Sequence, residues 1–309
     1  MPGVPATYAL PAASGALACL LVGGSVPVTG TLDDYPVFAA LAMRYALGGL
    51  LLLALAGLRG RRLPRPGPAD LIPLAGLAVS GMLGFNACLL YAQRYADPGF
   101  VAAMLGGTPL VLALVAPLLT RRRPAPLVVA GATVVVAGIL VLGGVFTGGG
   151  SWHGPGLALA ALTMGCEASF TLLAVGVVTR LGAYAVSTWC CLIAAGIGAV
   201  LGPLLDAPWR IPDPRQAGAL VFLGVIVTAV GFCCWYRAVS GLGADRAGVL
   251  VGLMPVSGLA TSVLLGAQPF TVTAGAGAVL VTAGAVLGLG GGAPSVPAPG
   301  HPQHVEGLV

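Results

Sequence analysis

The sequence predicts an all-α, polytopic membrane protein: ten transmembrane helices arranged as two inverted five-helix repeats. Three observations carry that expectation: an apolar composition, the regular spacing of apolar runs, and a segment near residue 84 that recurs near residue 231. Of 309 residues, 58% are hydrophobic and 7% charged, whereas an ordinary soluble domain holds about 25% charged residues. A water-facing surface cannot be built from so few charges. Lysine is absent, so the net charge of +5 comes from 14 arginines against nine acids. Those arginines sit in short connectors, which speaks against a nucleic-acid stripe, because such a stripe needs clustered cations on an ordered face.

A bilayer-crossing helix takes about 20 mostly apolar residues. Such runs follow one another at 10–29, 36–58, 71–93, 98–119, 126–146, 155–179, 183–205, 217–236, 246–266 and 271–291. Breakers and charges bound each of them. Span one starts without a basic flank, since the first arginine is Arg44, and is therefore expected to be retained rather than cleaved as a signal. Span two opens at Pro36 and stops at Arg59; span three lies between Asp70 and Arg94; span four follows Pro98 and ends at the Arg121 to Arg123 triplet. Span five begins at Pro126 and meets a glycine run, span six begins at Pro155 and ends at Arg180, and span seven follows Gly182 and reaches Asp206. Spans eight, nine and ten are set off by Arg215, Arg237, Arg246, Pro269 and a second glycine run. The tail, 293–309, is proline-rich and polar and reads as a disordered cytoplasmic segment.

With the N-terminus inside, alternate connectors receive Arg59, Arg61, Arg62, Arg65, Arg121 to Arg123, Arg180, Arg237 and Arg246, against Arg94, Arg210 and Arg215 on the other side. Arginine-bearing short loops are retained in the cytoplasm, so both termini are expected there. His301 and His304 fall in the tail and His153 in a loop, which suits solvated side chains better than a metal site. The seven cysteines lie in apolar runs with no CxxC and no zinc spacing, and read as small buried apolar side chains. No cofactor is expected.

The chain is also duplicated. Residues 84 to 109, "GFNACLLYAQRYADPGFVAAMLGGTP", and 231 to 255, "GFCCWYRAVSGLGADRAGVLVGLMP", both open on Gly-Phe. Each carries a tyrosine near a span end (Tyr91, Tyr236), passes a connector with Asp97 or Asp245, and reaches Pro109 or Pro255 in the next span. The copies start 147 residues and five spans apart. Because five is odd, the second copy runs through the membrane in the opposite sense, giving repeats at 1–149 and 150–292. Inverted repeats are a signature of secondary transporters, whose substrate site lies near the midplane between the halves. Matched Pro109 and Pro255 are expected to bend spans four and nine or expose carbonyls there, a candidate gating pair.

Through this repeat, "VGGSVPV" in span one, "AMRYALGGLLLL" in span two and the hairpin "LLYAQRYADPGFVAAMLGGTPL", residues 10 to 292 resemble the EamA-like, ten-helix branch of the drug/metabolite transporter superfamily. The resemblance implies a carrier in a bacterial inner membrane, an exporter of amino acids, other metabolites or toxic compounds, often exchanging against protons. Span one departs from the family pattern: Gly23 precedes Gly24-Ser25 where a tryptophan is usual, which implies a different pocket shape.

Glu167 is the acid that demands explanation. Counting from Pro155 at 1.5 Å per residue puts it about 18 Å into a core about 30 Å thick. An acid at that depth costs about 2.5 to 3.5 kcal/mol on insertion scales, so it is expected to face a cavity or a partner. Thr163 and Thr171 lie four residues to either side and would share its helical face. A carboxyl stripped of water is suited to taking up and releasing a proton; the rival role is a structural hydrogen bond or ion pair between helices. Arg44, about 12 Å into span two, has three candidate roles: contact with neighbouring carbonyls or loop acids, which the resemblance favours, neutralisation of Glu167, or binding of a substrate carboxylate. Asn86, Tyr91, Trp235 and Tyr236 complete the candidate lining, although aromatics near span ends often anchor at headgroups. GxxxG pairs at Gly198/Gly202 and Gly248/Gly252 read as helix packing; a homo-oligomer stays open.

The leading expectation is therefore a secondary carrier of a small-molecule substrate, with protons as a possible coupling ion and the lipid bilayer as its solvent. No GxxxxGK[ST] is present to bind ATP. An intramembrane enzyme would need paired acids, HExxH or a serine with a histidine, and no histidine lies in any span. A channel would show polar rings and a sensor a soluble output domain, and neither is visible.

Overall fold

The computed structural model describes residues 6–32, 34–60, 62–95, 107–119, 121–142, 154–205, 209–265 and 270–290. All regular elements among them are helical, and they fall into ten consecutive segments. Helix α1 is Ala6–Gly24, prolonged by the turns Val26–Thr29 and Gly30–Leu32; α2 is Val37–Leu58. Helix α3 is composite: Pro68–Leu77, a π-helical stretch Ala78–Gly84, then Phe85–Tyr95. Helices α4 to α7 are Thr108–Leu119, Pro126–Leu142, Gly154–Leu181 and Ala183–Leu205. Helix α8 repeats the composite plan of α3, as Pro214–Phe222, a π-helical stretch Leu223–Val230 and Gly231–Leu242. Helix α9 is interrupted, Ala244–Leu250 then Leu253–Leu264, and α10 is Val272–Leu289. Seven of these are long and apolar enough to cross a bilayer. The shorter α4 and α5 and the interrupted α9 complete the ten. Residues 98–106 of expected span four, the end of span five and the 293–309 tail lie outside the described residues.

Local chemistry sets the helix starts. Pro68 occupies the first position of α3, where its missing N–H costs nothing, and Asp70 accepts from the Gly67 N–H at 3.0 Å. Asp213 caps α8: its carboxylate accepts from the Gln216 N–H at 2.8 Å while the Gln216 side chain accepts from the Asp213 N–H at 3.1 Å. That reciprocal pair is a capping box. Thr271 caps α10 through the Ala274 N–H.

The two matched prolines sit in the first turns of helical segments. Pro109 is the second residue of α4 and Pro255 the third residue of the second part of α9. In a first turn a proline's missing N–H costs no intrahelical hydrogen bond. In span nine the helix is broken at Val251, whose carbonyl is denied an i+4 partner by Pro255, four residues on, while residues 98–106 of span four lie outside the described residues. The interruption of α9 lies just ahead of Pro255, at Val251 and Gly252.

Helices α5 and α10, equivalent members of the two repeats, cross through glycine. A Cβ at Gly131 would collide with the backbone of Gly288 and Gly284, and one at Gly138 with the backbone of Val281 and Gly277. Residue numbers fall along one helix as they rise along the other, so the pair is antiparallel. Buried Val135 and Val281 lie between the two crossings. Helices α2 and α7, also five spans apart, meet in the same sense, with Gly49 against Cys191 and Leu192 and Gly198 against Ala42. Equivalent helices that pair antiparallel are related by a two-fold axis across their length, which is the inverted repeat. Lipid supplies no hydrophobic drive between helices, so small residues that allow close backbone approach hold such bundles.

Both faces carry a tie between the halves. On the arginine-rich face Arg180 donates from Nε and Nη2 to Asp70 Oδ1, at 2.9 and 2.6 Å, joining the end of α6 to the start of α3. On the opposite face Arg210 donates to the Asp34 carbonyl, the Tyr35 hydroxyl donates to the Arg210 carbonyl, and the guanidinium lies 5.3 Å from the Tyr35 ring centroid. The two ties join equivalent connectors.

Candidate functional site: a chamber between the repeats

A cavity of about 460 Å³ lies between the halves, walled by α1, α2, α3, α6, α8 and Met254 of α9. At one end it reaches Thr29 and Gly30, both exposed. At the other it stops above a packed core that includes Leu74, Leu77, Val177, Val178, Leu242 and Leu250, each buried. These last residues belong to the ends of α3, α6, α8 and α9 nearest the arginine-rich face. The chamber therefore opens toward the arginine-poor face and is closed on the other.

Glu167 lines this chamber and is itself buried. Among the described residues, neither an ion pair nor a hydrogen bond reaches the Glu167 carboxylate. Helix α6 holds it about 20 Å from Gly154 by helical rise. A buried carboxylate without a protein partner is costly, and the chamber is where a partner can arrive. Arg44 lines the same cavity but is not paired with Glu167. Its Nε donates to Thr228 Oγ1 at 2.8 Å and its guanidinium lies 5.5 Å from the Tyr45 ring centroid. Of the three roles expected for Arg44, neutralisation of Glu167 is absent from this conformation, and the local contact is to a threonine hydroxyl.

The π-helical stretches present the polar groups. In each, a backbone N–H reaches back five residues, Phe85 to the Ser80 carbonyl and Gly231 to the Ile226 carbonyl. Single π-turns inside α-helices recur at functional sites. Both end at the Gly-Phe pair of the repeat. From the first, the Met82 carbonyl accepts from Asn86 Nδ2 at 2.5 Å and from the Tyr45 hydroxyl at 3.2 Å; from the second comes Thr228.

The candidate residues thus divide. Glu167, Arg44, Asn86 and Trp235 line the chamber together. Thr163 and Thr171 are fully buried and outside the lining; Thr163 donates to the Leu159 carbonyl at 2.7 Å and the Thr171 hydroxyl has no hydrogen-bond partner. Tyr236 is buried beneath the lining, and Tyr91 is 40% exposed near the end of α3. Pro109 and Pro255 stand in first turns and are not lining residues, although Pro255 adjoins Met254, which is one. Sequence reasoning passed over Tyr45, Phe85, Phe170, Phe232 and Thr228. The Gly-Phe pairs of the repeat flagged Phe85 and Phe232 and Arg44 flagged its neighbour Tyr45, whereas a lone threonine in "VIVTAV" carries no signal.

The EamA-like transporter family model matches the chain twice, over residues 10–144 and 154–289. The chain belongs to the EamA-like transporter family. It is 26% identical over 265 residues to the uncharacterized transporter YetK of Bacillus subtilis (strain 168), covering 82% of this chain and 79% of that protein. It is 23% identical over 254 residues to an uncharacterized transporter of Archaeoglobus fulgidus (strain ATCC 49558 / DSM 4304 / JCM 9628 / NBRC 100126 / VC-16), covering 80% and 86% respectively. A solved crystal structure superposes with a TM-score of 0.78 at 23% identity, over 91% of this chain and 96% of the other. This EamA-family protein is accordingly a multi-pass membrane transporter, and the chamber between its repeats is the candidate substrate site.

Proposed function

We propose that this EamA-family protein is a secondary active exporter of small metabolites, amino acids or drugs across a bacterial inner membrane. It works by alternating access, with both termini cytoplasmic and the units 1–149 and 150–292 moving against each other. The observation that carries the proposal is one chamber holding a buried, unpaired Glu167 and, on another wall, an Arg44 engaged elsewhere. Opposite charges left separate in an otherwise apolar site suit a solute bearing an amine, an acid group or both. Glu167 exchanges a proton as the chamber changes sides, since a carboxylate with no protein partner has either a proton or a substrate to neutralise it.

Counterflow from proteoliposomes against amino acids, small metabolites and lipophilic cations tests the carrier reading. Exchange of at least one class supports it; silence across the panel with folded protein overturns it. Glu167→Gln is expected to insert normally and to lose pH-driven flux. Undiminished pH-driven flux in that variant removes the proton role.

A further inference from the structure

Beneath the chamber, aromatic rings form its floor. Phe170 and Phe232 line the cavity, with centroids 5.8 Å apart. Tyr236 lies on the far side, 5.7 Å from Phe170 and 6.0 Å from Phe232, with no exposed surface. Phe170 rests directly on the π-helical stretch of α3: a Cβ added at Gly81 would overlap its ring. Close to that ring are polar groups that the closed packing leaves without hydrogen bonds, namely the Thr171 and Tyr236 hydroxyls and the buried indole N–H of Trp235, whose side chain also lines the chamber. On α7 Tyr236 has the thiols of Cys190 and Cys191 near it, weak partners at best. Buried, unpartnered donors carry a desolvation penalty, and three of them in two adjacent helices need a reason.

We propose that Phe170, seated on Gly81 and packed with Phe232 and Tyr236, is the gate that closes the chamber to the arginine-rich face. The Thr171 and Tyr236 hydroxyls, with the buried indole N–H of Trp235 at the boundary between them and the open chamber, line the closed half of the translocation path. This rests on the carrier reading above. Opening toward the arginine-rich face lifts the Phe170 ring from Gly81 and lets water or substrate reach the three groups, which removes their penalty. The same penalty keeps the present closed packing from becoming a trap. Glycine at position 81 is what lets the ring seat, because any side chain there occupies its place.

The test uses the full chain with its seven cysteines replaced by alanine, carrying Thr171→Cys, in inverted and right-side-out membrane vesicles. A membrane-impermeant maleimide labels position 171 from the arginine-rich face slowly. Phe170→Ala raises that rate about tenfold, by bringing a minor open state of a few per cent toward parity. Gly81→Val does the same without touching Phe170, and Phe170→Leu gives a smaller rise should the alanine variant fail to insert. Thr29→Cys, on the open side, keeps its labelling rate from the opposite face in all three. An unchanged rate at position 171 in both Gly81→Val and a folded Phe170 variant overturns the gate, as does equal acceleration of positions 29 and 171. Counterflow in the same membranes separates the two claims. Transport with no labelling response discards the gate alone, and the expected labelling without transport of any solute discards the carrier reading while the gate stands.

Discussion

Glu167 and Arg44 share a chamber without pairing, and that separation fixes what single substitutions should do. Thr228 is the hydroxyl that holds the Arg44 Nε, at 2.8 Å, inside the π-helical stretch of α8. Hydrogen bonds to a charged group are worth about 1.5–3 kcal/mol. Thr228→Val keeps the shape and removes the acceptor, so Arg44 loses its fixed position. The expected result is solute affinity in counterflow weakened by about tenfold, which corresponds to about 1.4 kcal/mol, with insertion and thermal stability close to wild type. Unchanged affinity would mean that Arg44 does not meet the solute. The charge swap Arg44→Glu with Glu167→Arg addresses the same question from the other side. Since the two residues form no ion pair, the double variant is expected to be as inactive as the worse single variant, and rescue of flux would show a pair that forms in another conformation.

At the scale of elements, the crossing of α5 with α10 and the composite helices α3 and α8 define the frame. Gly284 faces the Gly131 carbonyl and the Val135 backbone N, so a side chain at position 284 pushes backbone against backbone. Overpacking of a fitted core costs about 1–3 kcal/mol, and Gly284→Val is expected to lower the midpoint of thermal unfolding in detergent accordingly. Gly165→Ala on α6 meets nothing within 4 Å and, by helix propensity, is expected to be neutral or slightly stabilising. An equal loss in both variants would assign the effect to helix propensity or general fragility instead of the crossing. The existence and order of these helices were legible in the sequence because hydrocarbon leaves the chain few choices: every backbone polar group has to be satisfied inside the segment. Their faces were not. Thr163, Glu167 and Thr171 share a helical face by spacing and all three are buried, yet only Glu167 meets the chamber, because the chamber is shorter than that stripe and packed helices cover the threonines at either end. Pro109 and Pro255 were visible as a matched pair, whereas the place of the break in α9, at Val251 and Gly252 and not at the proline itself, emerges only in the structure.

The whole molecule is organised by its two-fold axis, which the recurring Gly-Phe segment exposed in the sequence and the α5 and α10 glycines express in packing. Of the site, the charged members were legible because an acid or arginine in a membrane span is rare enough to stand out. The aromatic floor was not, since Phe170 and Phe232 look like any other apolar residue until the halves are brought together. The symmetry has a consequence for insertion. The halves run through the bilayer in opposite senses, so helix direction alone does not choose which face is cytoplasmic, and the arginine bias is expected to make the choice. Ten arginines mark one face and three the other, and short arginine-bearing loops are held on the cytoplasmic side. Replacing Arg59, Arg61, Arg62, Arg65 and Arg121 to Arg123 by alanine leaves three on each face. Wild-type chain with a reporter fused after residue 290 is expected to report the cytoplasm alone. The seven-residue variant is expected to yield both orientations, read as activity of a cytoplasm-active and a periplasm-active reporter at the same fusion point. Each population should keep its helix content, because the same helix–helix contacts form whichever way the chain is inserted. A variant that stays in a single orientation would place the determinant elsewhere, in the Arg180 to Asp70 tie or its counterpart at Arg210, which differ between the faces where the helices do not.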